Sequence, residues 1–220
     1  MSKFIVLIFS TALFFGCTDS LALKQKSGQD FILVTKHPLI SEKELLLESI
    51  IDLLDAGIVN QSSLSHIFSS SWVNNLRSND PWFKNIKVEI EEYQPLAYWH
   101  GNSFLTQSGL IITPTNPSID LDLITLEGEE SYKYNLIDFS RKLQSLLIRI
   151  NNNLHSLSLK NGYLKAITTE GLVIFFDFKE FRGQLERLED LIMFELSSGN
   201  LENVRRLDFR YKNGVAVHIL

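Results

Sequence analysis

The sequence predicts an α+β protein in two folded parts, carried behind a short apolar N-terminal segment. Three observations predict it. Apolar residues switch repeatedly between a period of two and a period near 3.6, so strands and helices alternate along the chain. Turn signals of the Asn-Gly and Gly type cluster after Pro95 and are sparse before it. An uncharged apolar run stands at the extreme N-terminus. The chain has 220 residues, of which 45% are apolar types and 21% are charged, with 21 basic against 26 acidic residues and a net charge of -5. That balance excludes a disordered or low-complexity chain, and it argues against a surface built for nucleic-acid phosphates. A single cysteine, Cys17, excludes an intrachain disulfide framework and a cysteine-based zinc site.

Residues 4–16, FIVLIFSTALFFG, follow Lys3 and precede Asp19. As a helix they reach only about 20 Å, short of a hydrocarbon core of ~30 Å. Three readings stay open on the residues alone. The segment is a cleaved export signal, a lipoprotein signal ending at Cys17, or an uncleaved anchor stretched to residues 21–23 with Lys24 and Lys26 snorkelling. The bulky Phe14 and Phe15 disfavour the lipoprotein reading. All three export the rest of the chain.

The remainder is read in order. Residues 21–29 are polar and are expected to be a linker. Residues 31–34 form a short apolar strand closed by Pro38. Ser41 and Glu44 form a capping box that opens a helix with Leu46, Leu47, Ile50, Leu53 and Leu54 on one face and Gly57 past its end. A shorter helix fits residues 62–70. A strand fits residues 72–78, and a half-buried strand follows with Ile86, Val88 and Ile90 inward and Lys87, Glu89 and Glu91 outward. This β-α-α-β-β unit, about 65 residues long, is large enough to fold alone.

After Pro95, short strands at 96–99, 103–105 and 110–112 are separated by His100-Gly101 and Ser108-Gly109. Residues 131–150 form an amphipathic helix on Leu136, Phe139, Leu143, Leu146, Leu147 and Ile150. Strands at 154–160 and 163–168 flank Asn161-Gly162, the strongest short-range hairpin signal. A strand at 172–176 leads to a helix at 180–198 whose core face carries Phe181, Leu185, Leu188 and Ile192. Strands at 204–211 and 215–220 flank Lys212-Asn213-Gly214, a third hairpin. The expected arrangement is an antiparallel sheet with two helices on one face.

The chain shows none of the G-x-S-x-G, H-E-x-x-H, P-loop or G-x-G-x-x-G patterns. His37, His66, His100, His155 and His218 are scattered without ligand spacing. Asp120, Asp122, Glu127, Glu129 and Glu130 form an acidic stretch that reads as a solvated loop. No catalytic, cofactor or metal site is therefore expected, and binding is the expected mode of action. The final strand is expected to be an open sheet edge, a template for a partner strand. Arg205, Arg206 and Arg210 form a basic spot suited to an acidic partner segment.

Two stretches carry a family resemblance. Residues 91–99, EEYQPLAYW, resemble the "VEY-x-P-x-ARW" stretch of the FtsQ/DivIB cell-division family, and residues 206–219, RLDFRYKNGVAVHI, resemble its "VDLRY-x-x-G-x-AV-x-W" hairpin. Ser71, Trp72 and Val73 fall where that family has Pro-Trp-Val or Pro-Trp-Ile, and Trp82 falls on the Trp of its Trp-Pro pair. The chain departs from the pattern at Ser71 and Phe83, where the family has Pro, and at Ile219, where it often has Trp. The resemblance implies a cytoplasmic tail and single transmembrane anchor over residues 1–23, a POTRA domain over 24–95 and a β domain over 96–220. It implies a non-enzymatic divisome scaffold in bacterial cell division and septum formation. The protein would be a single-pass type II protein of the inner membrane, with its bulk in the periplasm at the division site. Its partners would be an FtsB/FtsL-type coiled-coil pair and other septal membrane proteins, with no cofactor. The expected partner-binding residues are Arg210, Tyr211, Gly214, Val215, Val217 and Ile219. Another POTRA-bearing exported adaptor in envelope assembly is the alternative.

Overall fold

The computed structural model describes residues 19–24, 30–35, 37, 40, 52, 72–78, 85–114, 121–198 and 203–219. The chain divides into two compact units, Met1–Glu92 and Tyr93–Leu220. The apolar segment at 4–16, Cys17 and the two helices expected within 41–70 lie outside the described residues, apart from Asp52, which is helical and exposed.

In the first unit, β1 (Asp19–Lys24), β2 (Asp30–Thr35), β3 (Val73–Ser78) and β4 (Asn85–Glu92) form a sheet in the order β1-β2-β4-β3. β2 and β4 run parallel, with Leu33 opposite Val88 and Thr35 opposite Ile90. β3 runs antiparallel to β4, and β1 antiparallel to β2. Ile90 is buried while Glu89 is exposed, so the expected alternation holds at the end of β4. Glu92, at the end of the strand, is buried, and its carboxylate accepts a hydrogen bond from the Ile40 amide. The linker expected at 21–29 is corrected, because its first part is β1. The segment DSLALK carries Leu21, Ala22 and Leu23 between polar ends, and pairing it with β2 closes a sheet edge that would otherwise expose a row of unpaired amides and carbonyls.

The second unit is a nine-stranded sheet. Its strands are β5 (Pro95–Trp99), β6 (Ser103–Thr106), β7 (Ile111–Ile112), β8 (Thr125–Glu127), β9 (Leu154–Lys160), β10 (Tyr163–Thr168), β11 (Val173–Asp177), β12 (Val204–Asp208) and β13 (Ala216–Ile219). Their order is β13-β12-β11-β10-β9-β8-β5-β6-β7. Two helices belong to it, α1 (Lys133–Leu147) between β8 and β9 and α2 (Phe181–Ser198) between β11 and β12.

The expectation of an antiparallel sheet is corrected here. β8 pairs parallel with β9, β5 with β8, and β11 with β12. Each helix is a crossover, and a chain that leaves one strand through a helix and rejoins the neighbouring strand arrives in the same direction. β8 itself was not anticipated. It is three residues long and sits in the acidic stretch, yet Leu126 is fully buried between β5 and β9.

Local chemistry explains the rest. Asn161 and Gly162 both take positive φ, 54° and 77°, which closes β9 onto β10 in a two-residue turn whose twist matches the strands. α1 buries Leu136, Leu143, Leu146 and Leu147, and α2 buries Phe181, Leu188 and Ile192. An aromatic chain ties these elements together. Phe139 of α1 stacks on Phe181 of α2 at 4.1 Å, Phe181 meets Phe176 of β11 edge-on at 5.1 Å, and Phe176 stacks on Phe209, just past β12, at 5.4 Å. Phe176 is the middle of that chain and fully buried. Phe176→Ala is expected to cost about 3–5 kcal/mol, read as a lower denaturant midpoint, because both flanking rings lose their contact.

Candidate partner-docking edge

The hairpin at the C-terminal side of the sheet is built on β12. Leu207 faces the core and is 1% exposed, and Val204 packs against the same core. On β13, Val217 stands opposite Leu207 and Ile219 opposite Val204. Residues opposite one another in a ladder point to the same face. Val217 and Ile219 therefore continue the helix-side face of the sheet, as the sequence pattern predicts.

This apolar row is covered only at its start. Val215 does reach the core, but Val217 is 45% and Ile219 60% exposed. The cause is the reach of the helices. α1 packs chiefly on β9 and α2 on β11, so the layer covering the sheet ends short of β13. Among the described residues β13 pairs with β12 alone, which makes it the edge of the sheet. It presents an unpaired backbone edge beside an exposed apolar row.

The opposite face carries charge. Strand alternation predicts Asp208 and Arg210 on the outer face and Leu207 and Phe209 facing the helices, with Tyr211 at the strand end reaching past the sheet edge. β12 ends at Asp208, where the expectation fails, while it holds at Phe209. Phe209 is buried, with its amide donating to the Phe175 carbonyl at 2.9 Å. Asp208 is buried as well, because the Arg210 side chain folds back over it. The Arg210 amide and Nε donate to Asp208 Oδ1 at 3.2 and 2.8 Å, and Nη2 donates to Oδ2. Arg206 adds a longer contact to Oδ2, 3.6 Å. Both guanidinium groups lie over the Phe175 ring, Arg206 at 4.6 Å and Arg210 at 4.9 Å, and Arg210 also lies 5.1 Å from the Tyr163 ring centre. Arg210 is thus not the free fork that the sequence suggests. Its hydrogen bond holds the Asp208 carboxyl below its ordinary value, and the same bond holds the Arg210 guanidinium above its own.

Tyr211 and Gly214 lie in the loop 209–215 between the two strands. Tyr211 is 60% exposed, its ring available beside the edge. The expected Asn-Gly turn is not formed, since neither Asn213 nor Gly214 takes positive φ. What closes the loop is Arg187 of α2, a residue that sequence reasoning passed over. Its Nη1 donates to the carbonyl oxygens of Tyr211 at 3.0 Å and Gly214 at 2.8 Å, and its Nη2 donates to that of Phe209 at 3.0 Å. No periodicity marks Arg187; it sits between core positions of an amphipathic helix and reads as a solvated charge. Gly214 contributes its carbonyl rather than its lack of a side chain, because a Cβ there would meet nothing within 4 Å. The six expected residues are thus gathered on one hairpin: Tyr211, Val217 and Ile219 are open to a partner, Val215 is half-buried, Gly214 is held from behind, and Arg210 is engaged by Asp208.

Among the described residues there is no group of three or more His, Cys, Asp or Glu side chains placed to hold a metal ion, and no helix is long and apolar enough to cross a membrane.

These features define a class: an α+β unit with an uncovered edge strand, apolar on one face and cationic on the other. Comparison with known proteins makes it specific. No family model matches the chain. It is similar to the "Cell division protein FtsQ" of Coxiella burnetii, 27% identical over 160 residues that cover 72% of this chain and 65% of the relative. The FtsQ of Allochromatium vinosum is 26% identical over 151 residues, covering 66% of this chain and 58% of that protein. The FtsQ of Aliivibrio fischeri is 23% identical over 155 residues, covering 69% and 59%. The chain is related to the FtsQ cell-division proteins, as its motifs at 91–99 and 206–219 imply, and it spans roughly three fifths of the length of the relatives it matches.

The Asp208–Arg210 pair has measurable consequences. Arg210→Glu is expected to destabilise the second unit by about 1–3 kcal/mol, toward the lower end because Arg210 is one-third exposed. It replaces the partner of a buried carboxylate with a like charge. The Asp208 carboxyl titrates below its unfolded value, so its contribution is full above about pH 4 and is lost as pH falls through the folded value. Acid unfolding followed by circular dichroism should show that loss in the wild type and a smaller one in Arg210→Gln.

Proposed function

We propose that this protein is a non-enzymatic scaffold of the bacterial division machinery, and that β13 is where it captures a partner by strand addition. The observation that carries the reading is the single-neighbour edge strand with Val217 and Ile219 exposed beside it. An added strand would satisfy the unpaired backbone groups of β13, and alternate side chains would lie on its two faces. Those on the helix side would meet the apolar row. Those on the other side would meet Arg206 and Arg210, a setting that favours acidic residues.

Relatedness to FtsQ supports the division role and points to an FtsB/FtsL-type coiled-coil pair as the partner, with other septal membrane proteins recruited through the first unit. In this reading the apolar segment 4–16 is a single-pass anchor in the inner membrane, and both units lie in the periplasm. Arg210 keeps the basic face in place while Tyr211 offers the contact. A tyrosine supplies a large rigid surface at low entropic cost.

Three measurements test the proposal. A fluorescent fusion should gather at the division site. Tyr211→Ala should weaken binding to the coiled-coil pair by about 2 kcal/mol, with the melting temperature unchanged, since the ring is exposed. Val217→Lys should also weaken binding while leaving the fold intact. Normal binding by both folded variants would remove the hairpin as the interface.

A further inference from the structure

We infer that Arg187 is the positioning residue of the docking edge: from α2 it sets the course of the loop 209–215 and thereby holds β13 in the geometry that a partner strand meets. The inference deepens the docking proposal and rests on it for what the edge is used for, while the clamp itself is argued from geometry alone.

A left-handed two-residue turn does not close this loop, although the chain turns at Lys212 and Asn213 and the Arg210 amide bonds Asp208 at its start. A two-residue hairpin turn of the favoured kind needs left-handed φ at both central positions. Asn213 and Gly214 have the composition for it but not the conformation. Seven residues instead separate β12 from β13, and a loop of that length fixes the register of the edge strand less tightly than a two-residue turn. Arg187 supplies the support from outside. Its guanidinium takes the carbonyl of Phe209 where the chain leaves β12, that of Tyr211 in mid-loop, and that of Gly214 on the return. Its charge is also 5.9 Å from the Phe209 ring centre. Among the described residues no carboxylate pairs with it, so its donors are committed to the loop.

The guanidinium geometry matters. Arginine offers five N–H donors in a rigid plane, whereas lysine is a compact charge on a flexible stem. A lysine at this position would keep the charge but could not hold three carbonyls spread over both limbs of the loop. Tyr211 is affected directly. Its backbone oxygen is fixed by the clamp while its ring is exposed, so the direction in which the ring leaves the surface depends on Arg187. The docking edge is therefore ordered before a partner arrives, which lowers the ordering cost of binding.

The test uses the full chain with Arg187→Met and Arg187→Lys, read by amide hydrogen exchange without any partner. Exchange at β13 should accelerate by about tenfold or more in both variants, as expected for lost hydrogen bonds to a charged group, while β10 amides keep wild-type rates. Wild-type protection of β13 in Arg187→Met would overturn the inference. Equal acceleration at β13 and β10 would overturn it too, by making Arg187 a support of the whole fold. Full rescue by Arg187→Lys would overturn the requirement for a planar fork. Binding of the coiled-coil pair, measured on the same variants, separates the two proposals. Faster β13 exchange with weakened binding supports both. Faster exchange with unchanged binding leaves the clamp standing and removes β13 as the docking site.

Discussion

The passage of the chain from β11 through α2 into β12 is the constraint from which the second unit's working surface follows. A helical crossover returns the chain parallel to the strand it left. The end of β12 therefore lies at the same end of the sheet as the end of β11. That places Phe209 against Phe176 and brings the first turns of α2 above the loop that follows. Arg187 reaches the loop because of this arrangement, and not through any local feature of the hairpin. Since α2 packs mainly on β11, the strand added after the loop lies outside the covered area.

The two faces of the edge are maintained by different physics. The helix-side face is an extension of the core's apolar pattern that no helix covers, and it is open for want of a second layer. The outer face is a small network in which two arginines lie over Phe175 and share a buried aspartate. A carboxylate removed from water needs such partners. Its burial is tolerated because Arg210 supplies both hydrogen bonds and charge. The basic spot seen in the sequence thus has a structural duty before it has any recognition duty, and its field at the surface is partly neutralised by Asp208.

Similarity to FtsQ supports the division role, and the open edge strand is the geometry on which partner capture is proposed. The motif at 206–219 that carries the resemblance is the same stretch that forms β12, the clamped loop and β13. The motif at 91–99 spans the end of β4 and the whole of β5, where one compact unit gives way to the next. Among the described residues the acidic stretch between 121 and 130 forms no metal-binding group. Its most consequential member is apolar: Leu126 locks the short β8 between β5 and β9.

Much of the fold was legible in the sequence because it depends on local periodicity and turn chemistry. The strands at 154–160 and 163–168, the Asn161-Gly162 turn and the core faces of both helices were read from spacing, since each is dictated by neighbours within a few residues. The apolar row of Val215, Val217 and Ile219 was legible for the same reason. Only the tertiary structure decided the rest. Strand direction follows from how a crossover packs, and β8 is held by contacts to strands far away in sequence. β1 is a strand because β2 offers it an edge. The exposure of Val217 and Ile219 depends on where α2 stops covering the sheet, and the burial of Asp208 depends on Arg210 folding back once the ladder ends. Arg187 is the clearest case: its partners are the carbonyls of residues 22 to 27 positions away, and a backbone carbonyl carries no residue identity for a sequence to display.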